Sequence, residues 1–283
     1  MNKKKSLLLT LCILCLIVLG YLLWLHSSLK GHQKIYFSNK TYTFTYKVDE
    51  IIFYYQGGKE KISLKKNKII KDLSIGDIDG DKEDEILILS GSEDSNYGEE
   101  LMIYKPEYIQ DTIEMKPIYT NNLTTIHPFM IKTCDVDGDN ALEIFIGVNK
   151  ETPYYPKAEN RPFFFNFVNG KLVKKWTGSK VRYPFIDACF VDFEGKGRDF
   201  FAVLETDEAG HRVALYYWLG FGFTLLGESE VYEKISDIGT VNIDGKEYIK
   251  TTLYKNGIKK ERLLQLTNKK NQNDLMVLEE RGF

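Results

Sequence analysis

The sequence predicts an all-β domain assembled from a repeated unit of about four strands. Runs of β-branched and aromatic residues, including 18 Tyr and 17 Phe, alternate with turns rich in Gly, Asn and Asp. Beyond residue 40, no long stretch combines a helical period with capping residues. An acidic phrase also returns at near-constant spacing, because Gly80, Gly138 and Gly195 lie 58 and 57 residues apart.

The composition is that of a folded chain. Charged residues make up 28% of the 283 residues, and the net charge is -2. Without Lys3, Lys4 and Lys5, the 38 basic residues fall to 35 against 40 acidic ones, a net charge near -5. This balance excludes a disordered chain and a nucleic-acid-binding protein.

The N-terminal segment predicts export. Residues 1–5 form a basic cytoplasmic tail, and residues 6–25 are almost continuously apolar, enough for about 30 Å of helix. Tyr21 and Trp24 crowd the end of this segment, and neither an A-x-A site nor a lipobox around Cys12 or Cys15 is present. We therefore expect an uncleaved signal anchor, with cleavage and secretion as the alternative. In both cases residues 26–40 are a linker and residues 41–283 an extracytoplasmic domain.

The rest of the chain reads as strand after strand. Two-residue turns are predicted at Gly57-Gly58, Asn169-Gly170, Asp244-Gly245 and Asn256-Gly257. The predicted strands span residues 42–47, 50–56, 61–64, 85–89, 100–104, 113–119, 143–148, 163–167, 171–176 and 275–279.

The repeat is clearest in two loops and weaker in a third. Residues 74–90 read SIGDIDGDKEDEILILS, residues 134–147 read CDVDGDNALEIFIG, and residues 191–203 read VDFEGKGRDFFAV. The segment NIDGKEYI around Gly245 is more simply a hairpin. With the strand that precedes each loop, one period holds about four strands, the size of a propeller blade.

The pattern D-x-D-G-D-x-x-x-E followed by an apolar strand resembles the FG-GAP or VCBS repeat of integrin α-subunits and of many exported bacterial proteins. The resemblance implies that each repeat is one blade whose acidic loop, between its first two strands, holds calcium. The domain is then a small β-propeller of about five blades, with four as the alternative, preceded by one transmembrane helix. Residues 275–279 would complete the first blade and close the ring.

The two acidic loops predict two Ca²⁺ sites. Carboxylates at every second position of a glycine-turned loop converge on one point, and a flexible set of oxygen ligands suits Ca²⁺ better than Mg²⁺. An ordinary Asp/Gly turn is the competing interpretation. An EF-hand is excluded because the glycine is fourth rather than sixth. The predicted ligands are Asp77, Asp79, Asp81, the Glu83 carbonyl and Glu85 in one loop, and Asp135, Asp137, Asp139, the Ala141 carbonyl and Glu143 in the other.

The third loop, near residues 192–199, predicts no metal. Lys196 stands where the third carboxylate would be, and Asp199 comes one residue early. Its ammonium would neutralise the remaining acids.

Cys134 and Cys189 lie just ahead of successive loops. Two buried free thiols are expected, with a disulfide between neighbouring repeats as the alternative.

Two further segments are candidates for ligand contact. Residues 151–162 predict a long, proline-broken loop that exposes Tyr154 and Tyr155, although such a loop can also simply cover its own blade. Residues 216–223, YYWLGFGF, predict a buried hairpin, with a stacking platform for sugar or peptide as the alternative.

Catalytic motifs are absent from the sequence. Four histidines are scattered along it, and no G-x-S-x-G, H-E-x-x-H, phosphate loop or C-x-x-C occurs. No catalytic residue is therefore assigned. We expect a membrane-anchored, calcium-binding module at the cell surface or envelope with a protein or glycan ligand. An envelope hydrolase or polysaccharide lyase and a structural or assembly subunit remain alternatives.

Overall fold

A computed structural model describes residues 29–110, 112–153, 155–178, 180–255 and 257–281. Within these ranges the protein is all-β, with twenty strands and one single-turn 3-10 helix at Thr124–Ile126. None of the helical structure in these ranges is long and apolar enough to span a membrane. The predicted basic tail and signal anchor, residues 1–25, lie outside them.

The strands follow one another in five groups of four, each antiparallel and hydrogen-bonded in chain order. The first sheet comprises β1 (Leu29–Phe37), β2 (Lys40–Lys47), β3 (Glu50–Tyr55) and β4 (Gly58–Ser63). The second comprises β5 (Lys68–Gly76), β6 (Glu85–Ser92), β7 (Glu100–Ile109) and β8 (Thr112–Asn122). The third comprises β9 (Pro128–Cys134), β10 (Glu143–Thr152), β11 (Tyr155–Val168) and β12 (Lys171–Thr177).

The last two groups share one eight-stranded sheet. The fourth group comprises β13 (Phe185–Val191), β14 (Phe200–Asp207), β15 (Gly210–Trp218) and β16 (Phe223–Ser229). The fifth comprises β17 (Lys234–Ile243), β18 (Lys246–Lys255), β19 (Ile258–Lys270) and β20 (Met276–Glu280). Their outermost strands, β16 and β20, pair in parallel through Gly227–Met276 and the next two residues.

The groups stack face to face in chain order, because their second strands are apolar on both faces. In β6, Ile86 and Ile88 pack toward the first sheet, whereas Leu87 and Leu89 pack toward the third. The same alternation in β14 divides its residues between the third sheet and the fifth group. Continuous apolar runs are typical of strands with both faces covered. The result is a β-propeller-like succession of small sheets.

Two aspartates, on the first strand of the second sheet and on the first strand of the fourth group, join their own group to the next one. Asp72 of β5 accepts the Leu73 N–H at 2.9 Å and, from the next sheet, the Ile131 N–H at 2.9 Å. Asp187 of β13 repeats this with the N–H groups of Ala188 and Ile238, at 2.8 and 3.1 Å. Each lies at a register shift in its strand pair, which turns the carboxylate toward the neighbouring sheet.

Several expectations need correction. Residues 26–40 were expected to be a linker, but β1 runs through Leu29–Phe37, with Ile35 and Phe37 buried in the first core cluster. The final strand does not complete the first sheet, since β20 pairs with β19 and β16. Residues 151–162 are mostly strand rather than loop, because β10 and β11 pair out to Thr152 and Tyr155.

Other expectations are confirmed. Cys134 and Cys189 are buried free thiols, and burial raises the pKa of both, that of Cys189 to about 12. The predicted turns at Gly170 and Gly245 have the positive φ angles, 72° and 79°, that glycine adopts without strain.

Replacing Asp187 with Ala should lower the free energy of unfolding by about 1–3 kcal/mol, because it leaves the Ile238 and Ala188 N–H groups without their acceptor. Urea unfolding of the full chain measures the change. Glu233→Ala, at an exposed carboxylate in the connection to β17, is the control and should be neutral. Equal stability of the two variants would contradict the role of Asp187 between the sheets.

Candidate functional site

The first acidic loop, residues 77–85, joins β5 to β6 and is organised by its own first carboxylate. Asp77 accepts the N–H groups of Gly80, Asp81 and Lys82 at 2.8, 3.1 and 2.8 Å. Gly80 and Lys82 have positive φ angles of 81° and 72°, which bend the backbone around that carboxylate. The turn therefore forms around the Asp77 carboxylate, and Asp79, Asp81 and Glu85 converge on a common point.

A lysine ammonium stands at the point where those acids converge. Lys105, on β7, places Nζ 2.6 Å from Asp79 Oδ2, 2.6 Å from Asp81 Oδ2 and 3.1 Å from Glu85 Oε1. Glu85 is fully buried at the start of β6, and the Lys105 side chain is only 15% exposed. No local pattern predicts this contact, because the lysine comes from a different strand.

The second acidic loop, residues 135–143, has the same design with a different lysine. Asp135 accepts the N–H groups of Gly138 and Asn140 at 2.7 and 2.8 Å. Lys175, on β12, donates to Asp137 and lies 2.6 Å from Glu143 Oε1, with its side chain 11% exposed.

The third loop, residues 192–199, lacks the buried glutamate. Phe200 stands at the start of β14, where the other two loops have Glu85 and Glu143. Lys196 pairs at 2.7 Å with Glu194, and both side chains are exposed. No cluster of metal-ligating groups occurs at this loop among the described residues.

Asp199 of the third loop contacts the backbone of the second acidic loop. Its Oδ2 accepts the Asp135 N–H at 2.9 Å, and its own N–H donates to the Asp135 carbonyl at 2.7 Å. Asp84 makes the same reciprocal pair with Tyr36 of the first sheet, at 2.6 and 2.8 Å. These residues join loops of neighbouring sheets and are not positioned as ligands of a shared ion.

Burial shapes the pKa values of the loop groups. Desolvation, helped by Asp79, raises the pKa of Glu85 to about 7, and desolvation also raises that of Glu143. Burial alone would lower the pKa of Lys105, but its carboxylate partners more than offset that effect and raise it. The ammonium is therefore charged throughout the physiological range.

The predicted calcium ligands come together only in part. Oxygens of Asp77, Asp79 and Glu85 lie within 4.8 Å of one another, as do those of Asp135, Asp137 and Glu143. Asp81 reaches the same lysine as its neighbours, whereas Asp139 is exposed and accepts the Ala141 N–H at 2.9 Å. The Glu83 side chain turns away to accept the Ser38 N–H at 3.1 Å.

These donor sets do not fit a calcium ion as they stand. Calcium takes six to eight oxygen ligands at roughly 2.3–2.6 Å, and a cation at the converging point would overlap the ammonium. Calcium binding stays a prediction, and the geometry offers another cation in its place.

A separate feature lies at the turn between β15 and β16. Residues 219–222 form a tight connection in which the Leu219 N–H donates to the Gly222 carbonyl at 2.9 Å. Phe221 is 82% exposed, and Leu219 is also exposed. The strands of the predicted hairpin are buried, as Tyr216 and Trp218 show, but its tip is not. We call residues 219–222 the apolar tip.

A cavity of about 360 Å³ adjoins the apolar tip. Trp176 and Phe223 supply its aromatic wall, and Lys180 and Arg182 supply positive charge. The indole N–H of Trp176 has no hydrogen-bond partner within the described part of the chain, and a side chain at Gly222 would lie 3.8 Å from it. The glycine thus leaves a free donor facing the cavity.

The predicted ligand-contact residues are placed only in part. Tyr154 lies outside the described residues. Tyr155 begins β11, its hydroxyl donates to Glu159 at 3.1 Å, and Lys180 Nζ stands 4.5 Å from its ring centroid. Tyr155 therefore lies next to a residue that lines the cavity, and ligand contact there stays a prediction.

Two buried glutamates of the fourth group, Glu205 and Glu228, are engaged in hydrogen bonds. Glu205 is fully buried and accepts Tyr216 O–H at 2.6 Å and Arg182 Nη2 at 2.9 Å. Glu228 accepts the same guanidinium at 2.8 Å and an Asn271 N–H at 2.7 Å. Carboxylates engaged in this way are poor proton donors to a substrate.

No family model matches the chain, and no curated protein matches it. Among solved structures, the crystal structure of the major Malassezia sympodialis allergen Mala s 1 is similar, with 8% identity and a TM-score of 0.49. The likeness covers 89% of this chain and 78% of that chain. The description of the fold rests on the strand pairing.

Asp199→Asn should gain stability relative to the native chain as the pH rises from about 4 to 7. Burial raises the folded-state pKa of Asp199 to about 6, above an unfolded value near 3.9, so its ionisation destabilises the fold across that window. Asn keeps the acceptor for the Asp135 N–H, and the gain should reach about 1–2 kcal/mol, discounted for partial exposure.

Urea unfolding at a series of pH values measures this gain. Asp139→Asn, at an exposed carboxylate of the second acidic loop, is the control and should give a flat difference. A flat difference for Asp199→Asn as well would contradict the assignment.

Proposed function

We propose that the chain is a membrane-anchored binding module of the FG-GAP/VCBS type whose extracytoplasmic β-propeller-like domain, of five blades, holds a protein ligand at the apolar tip. The five groups of four antiparallel strands and the two matching acidic loops support the repeat assignment. The apolar N-terminal segment and the lysines before it support the anchor and its orientation.

The observation that carries the binding function is the apolar tip beside its cavity. Phe221 is 82% exposed, and together with the exposed Leu219 and the adjoining cavity it forms an apolar surface of the kind that marks a protein interaction site. It stands on a turn held by a backbone hydrogen bond between two buried strands. A rigid support of this kind lowers the entropy cost of binding.

The chemistry of the surroundings favours a protein over a glycan. Sugar platforms present a flat aromatic face, whereas Leu219 and Phe221 project from the backbone as separate apolar side chains. Such side chains fill pockets in a partner and act as anchors of an interface. Lys180 lines the cavity with its side chain 47% exposed, and it favours an acidic segment next to the apolar contact.

A peptide library displayed on phage and selected on the full chain tests this function. We expect enriched peptides that combine apolar and acidic residues. Their affinity should fall at least tenfold on Phe221→Ser, because the anchor is lost, and be unchanged on Ile258→Ser. Ile258 is the matched control, since it is exposed in the hairpin between β18 and β19.

Two outcomes would contradict the proposal. One is the absence of enrichment above an unrelated bait, and the other is equal binding by both variants. Binding to a glycan array that depends on Phe221 would redirect the function to a sugar ligand.

The membrane anchor has its own test. In a bacterial host, the full chain should stay in the membrane pellet after alkaline carbonate extraction, and its intact mass should include residues 1–25. Deleting residues 6–25 should release it to the soluble fraction. A membrane-free product that begins after residue 25 would show cleavage and secretion instead.

A further inference from the structure

Lys105 contacts all three of the acids that face it. Its Nζ donates a hydrogen bond to Asp79 Oδ2 at 2.6 Å and forms ion pairs with Asp81 Oδ2 at 2.6 Å and Glu85 Oε1 at 3.1 Å, whereas Glu85 Oε1 has no hydrogen-bond partner among the described residues. A lysine that merely approached an acidic surface would leave part of its head in water. The Lys105 side chain is only 15% exposed, and its ammonium lies among the acids of the first loop as their counter-ion.

The remaining oxygens of these carboxylates are already used by the loop itself. Asp79 Oδ1 accepts the Asp81 N–H at 3.3 Å, Asp81 Oδ1 accepts the Glu83 N–H at 3.0 Å, and Glu85 Oε2 accepts the Ile78 N–H at 3.0 Å. Each acid thus gives one oxygen to the backbone and one to the lysine. Three free oxygens suit an ammonium and fall well short of a calcium shell.

The second acidic loop has a similar arrangement, with two acids, Asp137 and Glu143, at the lysine instead of three. Glu143 Oε2 accepts the Val136 N–H at 2.9 Å, and its Oε1 takes the Lys175 ammonium at 2.6 Å. The Lys175 ammonium also lies 6.0 Å from the Trp218 ring centroid, which covers it from the next sheet.

The three loops provide an internal comparison. Strand pairing aligns three positions in each group: the start of the second strand, one position in the third strand and the bulge in the fourth. These are Glu85, Lys105 and Ile118 in the second sheet, Glu143, Asn166 and Lys175 in the third sheet, and Phe200, Tyr217 and Leu226 in the fourth group.

In the second and third sheets, a glutamate at the start of the second strand is accompanied by a lysine at one of the other two aligned positions. In the fourth group, these positions hold neither a glutamate nor a lysine. The two lysines also reach their loops from different strands, so they are not one inherited position. Both loops have a positive charge beside a buried carboxylate, but the strand that supplies the charge differs between them. This charge is the one a metal ion would otherwise supply.

We propose that Lys105 and Lys175 are the resident cations of the two acidic loops and replace calcium in them, so that the fold of this chain does not depend on calcium. A tethered ammonium is present at fixed stoichiometry, whereas extracellular calcium sites with a Kd of about 10⁻⁴–10⁻³ M empty when calcium falls. The loops keep their shape in either condition.

Thermal unfolding of the full chain in detergent, with excess calcium chloride or with EGTA, tests the proposal. The native chain should give the same Tm in both. Lys105→Ala in EGTA should lower the Tm by roughly 10 °C, because three carboxylates lose their counter-ion. Calcium should restore part of that loss, because removing the long side chain leaves three carboxylate oxygens together with room for the water ligands that complete a calcium shell. Lys175→Ala should behave alike.

Lys116→Ala is the matched control, because Lys116 pairs with Glu107 on the exposed face of β8. It should change the Tm little and remain insensitive to calcium. If Lys105→Ala does not fold, the double variant Glu85→Gln/Lys105→Met removes both buried charges and should fold with a Tm above that of Glu85→Gln/Lys116→Ala.

The proposal is overturned by any of three results. The native chain could bind calcium and lose stability in EGTA, Lys105→Ala could match Lys116→Ala in EGTA, or calcium could leave the Tm of Lys105→Ala unchanged. None of these results bears on the apolar tip, so the binding function stands or falls separately.

Discussion

Covering both faces of a sheet is the constraint on which the rest of this structure depends. The second, third and fourth groups are buried on both sides, so their second strands each carry a continuous apolar run. A polar group at the end of such a strand has no water to turn to, and it must find its partner inside the stack. The acidic loops, Asp72 and Asp187, and the two lysines provide such partners.

Three kinds of carboxylate contact follow from it. Asp77 and Asp135 satisfy the backbone of their own loops. Asp72 and Asp187 satisfy the backbone of the next sheet, whereas Asp84 and Asp199, which precede the second strands, satisfy that of the preceding sheet. Glu85 and Glu143 bind the ammonium groups.

The sequence was sufficient for the features that depend on local pattern. Alternating β-formers and glycine turns predict the strands, and the recurring acidic phrase predicts that β5–β6 and β9–β10 are joined alike. It was insufficient for β1, because within residues 31–37 only Ile35 and Phe37 are buried in the core and most of the other residues are polar. Burial there depends on the second sheet, which no local window contains.

The partners of the acidic loops were also beyond the local pattern. Lys175 lies 32 residues after Glu143, and the bulge that carries it is visible only in the strand pairing. One signal was available in the sequence. An aspartate precedes the first acid of a loop by five residues at both Asp72 and Asp187, and the fifth group has Asp237 at the matching place before Asn242. Aligning the repeats through these positions identifies the contacts between sheets.

The apolar tip shows what such a scaffold leaves free. Glu205, in the core of the fourth group, has both of its oxygens engaged in hydrogen bonds, one with Tyr216 and one with Arg182. At the apolar tip, by contrast, Phe221 is exposed, and the nearby indole N–H of Trp176 has no acceptor among the described residues. Binding requires exposed, unpaired groups on a rigid support. The packed strands on both sides provide that support for the four-residue turn. The internal cations and the proposed binding surface are therefore complementary parts of one design.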